Sequence, residues 1–568
     1  MRLLPLTLFF VFCFLSLSAQ DKRALTLEDY KEWSRITNTA ISPDGQWATY
    51  SYKPNEGDTA TFFIHEIKGD TVYSAWNAKR VNFSNDSKWL AFLVDPMETK
   101  AKALKKQKKP VNSALYLYNI TTQSVDTIKD VQSYIFSEAS NYIAIKKAKS
   151  DPDAKHKGTD LIIKDLNGGA IVNIGNVSEY DFNETGSLLG YLVDAEGDGG
   201  NGIYVKDLDG HRTWPVHTGM DTYHQLSWNE AGDQLAVLFG TIPDGKMQHE
   251  NTLLWLTKLS AGMDVLTAPQ TYITDKMAVF PEDHVISEYR QPEWNEAGTQ
   301  LFIGIKKQQD KIEKDDELEA NVDVWHWKDE VVQSRQMITA NRDRKSTYIS
   351  VLNITDKRFV QLETEDMTGV STNEKTPWAV ASVDTTYRAN PNRPQGFADL
   401  YRIDTRNGNT SLIAKDVYRN MGISPMGDYA IYSRDGAVML YHFEKGETTN
   451  ITAKSDVSFL NKEFDRPVEK PTYGIGGWSS DGNWIMLNNK YDIYAFALNS
   501  DEVINVTQGI GKKESIRFRL VQLDPEEETL NVDEPLLLRS YGEWTKQSGY
   551  YEVTVGKKPK ALRYTDKM

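Results

Sequence analysis

The chain has 568 residues, of which 40% are hydrophobic and 26% charged, and its formal net charge is -15. That length allows one large all-β unit or two to four ordinary domains. The acidity repels phosphate backbones and excludes nucleic acid as a partner of the body of the chain. A single cysteine, Cys13, excludes a disulfide framework and cysteine-ligated metals.

The chain opens with Arg2 and the apolar run "LLPLTLFFVFCFLSLSA", followed by the polar "QDKR". Residues 1–19 therefore read as a secretory signal peptide, and the expected location is periplasmic or extracellular, with no membrane contact after cleavage. A retained anchor is the competing reading, since about 20 apolar residues suffice to span. Cys13 lies inside the apolar run and not at its end, so it is not placed as a lipoprotein cleavage cysteine. A short helix is expected over 26–34, "LTLEDYKEW", with acidic residues early and apolar ones at helical spacing.

From there a repeat runs the length of the chain. "AISPDGQWATYSY" is followed by "VNFSNDSKWLAFLV", "YIFSEASNYIAIKK" and "YDFNETGSLLGYLV". "LSWNEAGDQLAVLF", "PEWNEAGTQLFIGI", "MGISPMGDYAIYSR" and "GGWSSDGNWIMLNN" complete the series. The anchors are Ser42, Ser84, Ser137, Asn183, Asn229, Asn295, Ser424 and Ser479. Each unit is an apolar strand end, a tight turn of Ser/Asn, acidic and Gly residues, and an alternating strand. The spacing is 42 residues from Ser42 to Ser84, and 46 from Ser137 to Asn183 and from Asn183 to Asn229. Four short strands in such a period make a propeller blade. The expected fold class is all-β, a β-propeller of seven or eight four-stranded blades over 20–568. A charged insertion over about 98–110, the second place where helix is expected, interrupts it, and the last blade is left open. A weaker copy, "VSTNEKTPWAVASV", surrounds Asn373, and the tail "LLLRSYGEWTKQSGYYEVTVGKK" reads as one more hairpin.

Several motifs imitate chemistry. The run Lys100–Lys109, "KAKALKKQKK", is the one basic patch; it reads as a solvated loop, with an anionic surface as the functional alternative. "DAEGDG" at Asp194–Gly199 imitates a calcium loop, but Val205 stands where a bidentate Glu is required, so a hairpin turn is expected. "VDVWHWKDE" places Trp325 and Trp327 on one face of an expected strand, with His326 opposite, which suits blade packing better than a binding mouth. The histidines at 65, 156, 211, 217, 224, 249, 284, 326 and 442 are scattered singly, and none forms H-E-x-x-H.

Ser479 and Ser480 deserve the closest comparison with a nucleophile elbow, which needs G-x-S-x-G between a strand and a helix. Gly477-Trp478-Ser479-Ser480 is followed by Asp481, and the second glycine, Gly482, comes one residue late. The same slip occurs from Gly422 through Ser424 to Gly427, and a strand pattern follows in both places. Both serines therefore read as blade-turn residues.

The signal peptide, the opening "LTLEDYKEWSRITNTAISPDGQW", the repeated "SPDG" and "WNEAG" turns, and "VDVWHWKDEVVQSRQ" together carry a family likeness. The mature chain resembles the N-terminal propeller of exported prolyl oligopeptidase (S9) family serine peptidases, the class that includes dipeptidyl-peptidase IV relatives. The resemblance implies a gating, substrate-selecting propeller that admits peptides, joined in cis to an α/β-hydrolase domain carrying Ser, Asp and His. No such domain lies within these 568 residues, so the chain is read as truncated before it. Catalytic, cofactor-binding and metal residues are all assigned as none, and no cofactor is expected. The Glu pair with which dipeptidyl-peptidase IV relatives hold a free amine has no equivalent; "DPEEETL" at 524–530 lacks the aromatic context. A homodimer is allowed. The alternative function is a non-catalytic, TolB-like periplasmic propeller that binds protein or glycan. A third is a lyase or glycosidase working in the propeller's own channel.

Overall fold

The computed structural model describes residues 24–566, apart from 58, 152, 198, 278, 312–324, 327, 328, 330, 389–395 and 525. The expected signal peptide and Trp327 lie outside the described residues. Strand accounts for 47% of the structure and helix for 7%, which fixes the class as all-β. The strands form antiparallel meanders in which, within a sheet, almost every strand pairs with the next in sequence, the construction of a propeller blade.

The anchors number the blades. Ser42, Ser84, Ser137, Asn183, Asn229, Asn295, Asn373, Ser424 and Ser479 each precede the second strand of one unit, blades 1 to 9. These are four-stranded except blade 6, where two short strands, His284–Ile286 and Glu293–Trp294, both pair with Gln300–Lys307. Blade 10 runs from Ile516–Leu520 to Lys560–Thr565. Among the described residues there are thus ten blades, more than the seven or eight expected. The weak copy at Asn373 and the tail each form a full blade. Blades 2, 3 and 4 share one ten-stranded sheet, because the 12-residue strands Val125–Phe136 and Ile171–Phe182 each close one blade and open the next.

The chain divides into two compact units. Blades 1 to 3 make the first, which ends at Ser178. Blades 4 to 10 make most of the second, from Glu179. In both, the apolar cores lie between neighbouring blades rather than within one. Phe62 and Ile64 of blade 1 meet Leu90, Phe92 and Tyr118 of blade 2. Met486, Ile493 and Ala495 of blade 9 meet Phe518, Leu538 and Tyr551 of blade 10.

One turn chemistry is repeated at eight of the nine anchors; in blade 7 Asn373 Oδ1 instead accepts Lys375 N at 2.8 Å, and Thr376 takes the place of the positive-φ residue. The anchor's side-chain oxygen accepts the amide of the residue five positions on: Trp47 to Ser42 at 2.9 Å, Trp89 to Ser84 at 3.0 Å, Leu188 to Asn183 at 2.8 Å and Trp484 to Ser479 at 2.8 Å. The third residue after the anchor has positive φ and donates its amide to the anchor carbonyl, as Gly45 (φ 66°) does at 2.8 Å. Open space surrounds the missing Cβ of Gly45, so only its backbone conformation opposes a side chain. Gly45→Ala is expected to cost about 1 kcal/mol, read as a lowered urea midpoint.

Neighbouring turns are also joined to each other. Asp44 N donates to Ser87 Oγ at 3.0 Å in the first unit. In the second, Asn183 Nδ2 donates to Gly232 O at 3.0 Å, Gln234 Nε2 to Gly298 O at 3.0 Å, and Glu296 N to Glu374 O at 3.1 Å. The anchor turns of adjacent blades therefore lie side by side at one end of each unit.

Among the described residues four α-helices decorate the blades. α1 (Leu27–Glu32) stands where it was expected, and Asp29 Oδ2 accepts both the amide and the hydroxyl of Thr26 in a capping box. α2 (Glu98–Lys106) occupies the charged insertion. α3 (Gln333–Asp343) and the one-turn α4 (Ile510–Glu514) were not anticipated. Most of the strand expected at 322–330 lies outside the described residues; of those described, Trp325 is exposed, Asp329 N donates to His326 O at 3.0 Å and the Asp329 carboxylate accepts His326 N at 3.1 Å. No helix among the described residues is long and apolar enough to cross a membrane.

Candidate functional site

The stacked turns of blades 5, 6 and 7 enclose a cavity of about 590 Å³ in the second unit. Its acidic lining follows directly from the repeat. In blades 4 to 7 the residue after the anchor asparagine is a glutamate: Glu184, Glu230, Glu296 and Glu374. The turn is the same in blades 4 to 6, and in blade 7 the anchor carbonyl still accepts the amide three residues on, at 3.4 Å; the last three glutamates line one cavity. Glu293 and Glu528 add two more carboxylates.

The walls are aromatic. Trp228 and Trp294 end the first strands of blades 5 and 6, with Phe302 and Pro292 beside them. Both indole N–H groups are already used: Trp228 Nε1 donates to Asp181 O at 3.2 Å, and Trp294 Nε1 to Ser227 O at 3.3 Å. The rings therefore offer π surface rather than donors. Gln291 is fixed by a 2.8 Å bond from its amide to Leu226 O.

Glu528 arrives from the long connection between the first two strands of blade 10. That connection is tied down at Leu530, which pairs with Ser479, donates its amide to Trp478 O at 2.8 Å and accepts Ser480 N at 2.9 Å. Lys375 of the blade 7 turn then binds Glu528 at 2.9 Å. The charges are unevenly compensated: Glu293 pairs with Arg290 at 3.1 Å, whereas Glu230, Glu296 and Glu374 have no cation within ion-pair distance among the described residues. Burial, then the negative charges of Glu230 and Glu528, hold the Glu374 carboxyl above the ordinary range; Lys375 opposes them and Glu296 reinforces them. A second cavity of about 510 Å³ shares Glu296, Glu374 and Asn295, and continues the space toward Arg358 and Arg406. Such an arrangement suits a cation that carries apolar surface: ammonium against carboxylates, with rings available for stacking or cation–π contact.

The residues singled out from the sequence fall elsewhere. Ser479 is fully buried; its Oγ accepts the amides of Asn483 and Trp484 and donates to Asp481 at 2.5 Å. It does in blade 9 what Ser42 and Ser84 do in blades 1 and 2. Asp194–Gly199 lies in the connection between Leu188–Val193 and Gly202–Asp207, with Asp198 outside the described residues, and Val205 pairs with Gly190 in the sheet. Among the described residues no group of three or more His, Asp or Glu side chains is arranged to hold a metal ion.

Two of the scattered histidines do come together. His249 Nδ1 bonds Glu288 Oε1 at 2.9 Å, and Asn251 Nδ2 lies 3.4 Å from Glu288 Oε2. His224 Nε2 bonds Asn251 Oδ1 at 2.8 Å. Gln225, at φ 61° in a bulge of the same strand, donates its amide to Glu179 Oε2 at 2.8 Å. Burial works to raise Glu288, but the bond from His249, its own amide and the charges of both histidines hold it below the ordinary range. No spacing in the sequence signals this cluster, because its members come from three separate strand ends.

No protein-family model matches the chain, and no curated protein does. Solved structures do match in fold. Against one chain from a structural and mechanistic analysis of two prolyl endopeptidases the identity is 13% and the TM-score 0.32, over 72% of this chain and 55% of that one, so this chain spans about half the length of that one. Against Porphyromonas gingivalis dipeptidyl peptidase 4 the identity is 10% and the TM-score 0.36, over 92% of this chain and 67% of that one. The β-propeller domain of the Pyrococcus furiosus trilobed protease gives 12% and 0.27, over 67% and 96%. Chains of unrelated function align at the same level, so the likeness is one of fold.

Proposed function

We propose that the chain is the substrate-selecting propeller of an exported, prolyl oligopeptidase-type serine peptidase. It admits peptides to a hydrolase domain joined in cis, and its acid-lined cavity receives a positively charged part of the peptide. The observation that carries this reading is the convergence of Glu230, Glu296 and Glu374 on one aromatic-walled cavity. Its volume, about 590 Å³, lies within the roughly 300–1,000 Å³ of ordinary ligand sites. A short peptide presents what the cavity complements: an ammonium or guanidinium group on a partly apolar stem.

Two measurements test the reading. Titration of the purified chain with a lysine-containing peptide should give saturable binding, followed through tryptophan emission and weakened by salt. An equal response to the same peptide with its lysines acetylated would remove the charge-selecting role. The reading frame beyond codon 568 tests the peptidase assignment. A continuation holding G-x-S-x-G with Asp and His after it supports the assignment. A stop codon there refutes it for this chain and leaves the protein- or glycan-binding module.

A further inference from the structure

Blade 10 presents a face of the opposite charge. Successive side chains of a strand point to opposite sides of the sheet. Ile516 and Phe518 point into the core shared with blade 9, so Arg517 and Arg519 stand together on the other side of the same strand. Across the strand pair Arg539 lies directly opposite Arg519, and Tyr541 opposite Arg517. Like charges placed directly opposite each other destabilise a sheet. Among the described residues no carboxylate lies within ion-pair distance of Arg517, Arg519 or Arg539. Arg517 Nε is shielded from solvent and has no hydrogen-bond partner. Arg519 Nη1 donates to the carbonyl of its own neighbour, Phe518, at 2.6 Å, and the guanidinium lies 6.0 Å from the centre of the Tyr473 ring. Glu543 feels the charge of Arg517, but it is already bonded by Tyr491 and by Lys490, the latter at 3.2 Å. Burial, then the like charge of Arg517, push the Arg519 guanidinium down to about 10, while Tyr473 opposes them, so Arg519 is still a cation at neutral pH.

A guanidinium drawn from water without a counter-charge is costly, and an oxyanion that meets it lowers the cost. Arginine forks match carboxylates and phosphates alike, so the residue type alone does not choose between them. Position does. Glu528, which lines the acid-lined cavity, stands nine residues beyond Arg519 along the chain. An extended backbone of that length spans at most about 32 Å, so a peptide of about ten residues reaches from the glutamates to the arginines. We propose that Arg517, Arg519 and Arg539 bind a carboxylate of the same peptide whose cationic part the acid-lined cavity receives, a step that rests on that reading of the cavity.

The test is calorimetric titration of the purified chain at constant ionic strength with three peptides of about ten residues, each carrying one lysine near an acetylated N-terminus. The first has a free C-terminal carboxylate and no Asp or Glu, the second is its C-terminal amide, and the third is that amide with one internal glutamate. A carboxylate should tighten binding about tenfold over the plain amide. Tighter binding of the first peptide identifies the chain terminus as the source, and tighter binding of the third identifies a side chain. The advantage should vanish in Arg519→Gln with Arg539→Gln and persist in Arg344→Gln, at the exposed end of α3. Removing opposed like charges should leave the melting temperature of the double variant unchanged or raised, and Arg539→Gln alone, at an exposed position, should already lose part of the advantage. A carboxylate advantage undiminished in the double variant would overturn the proposal, as would displacement of the peptide by inorganic phosphate but not by acetate. If amidation has no effect while acetylating the lysine still weakens binding, the arginine site falls and the acid-lined cavity keeps its role. If amidation weakens binding and acetylating the lysine does not, the cavity loses its role and the arginine site stands. Absence of binding by all three peptides removes both.

Discussion

Ser479→Ala is expected to lower the stability of the second unit by about 2 kcal/mol, with a matching loss for Ser424→Ala. The argument rests on what the hydroxyl holds. Trp484 N donates to Ser479 Oγ at 2.8 Å and Asn483 N at 3.2 Å, in a turn where Ser479 is wholly buried. Alanine leaves the Trp484 amide without that acceptor, and a buried donor stripped of its partner costs about 1–3 kcal/mol. Ser424 Oγ accepts Tyr429 N at 3.0 Å and Asp428 N at 3.1 Å, so the same loss is expected in blade 8. A nucleophile would behave differently: its removal would spare stability and abolish labelling by a fluorophosphonate probe. Here the probe should leave Ser479 unlabelled from the outset. The pH dependence has a definite sign. The bond from Ser479, then those from Asn483, hold Asp481 below its ordinary value of 3.8. That contribution is present above 3.8 and lost as pH falls through the lower folded value, so the acid limb of the unfolding curve should flatten in Ser479→Ala. Paired urea midpoints at pH 7 and below pH 3.8 measure both effects; unequal losses at positions 479 and 424 would separate the two turns.

The blades were legible because their turn repeats a local bond. Ser or Asn followed five residues later by a strand is enough to locate nine of the ten first connections, and the late glycine at Gly482 marks Ser479 as one of them. The count was less legible for physical reasons. Asn373 opens a blade whose first strand is only Val370–Ser371, and blade 10 replaces the tight turn with the long connection that carries Glu528 and Leu530. The bulges at Asn38, Arg80 and Gln225 are hidden too, because non-glycine residues adopt the positive φ there. The acidic cavity was within reach: the N-E pair after the strand recurs at Asn183-Glu184, Asn229-Glu230, Asn295-Glu296 and Asn373-Glu374. Read only as turn chemistry, the glutamate looks like a solvated surface residue. What turns it into a site is the lateral joining of the turns, by Gln234 to Gly298 and Glu296 to Glu374, which depends on turns of successive blades, 64 residues apart in the first case, being neighbours in space. Glu528 could not be assigned at all, since its partner Lys375 lies 153 residues away.

Replacing Glu230, Glu296 and Glu374 together with glutamine should weaken binding of a lysine-containing peptide ten- to thirtyfold and, at the same time, make the protein more stable. Each carboxylate sits at the solvent-facing rim, so after screening its attraction for a bound cation is about 0.5–0.7 kcal/mol, and three together reach that range. Stability moves the other way because the three repel one another and lack cation partners among the described residues. The elevated Glu374 carboxyl records that repulsion. Its folded-state value lies above the ordinary 4.5, so the folded state binds the proton more readily than the unfolded chain. Stability of the unaltered protein should therefore fall as pH rises from 4.5 through the elevated value, and this slope should vanish in the triple variant. Peptide affinity should follow the opposite course and rise over the same interval as the carboxylate ionises. A variant that had merely misfolded would lose binding and stability together. Weaker peptide binding with a higher denaturation midpoint separates a charge-selecting cavity, kept at a cost in stability, from an incidental patch of surface acid.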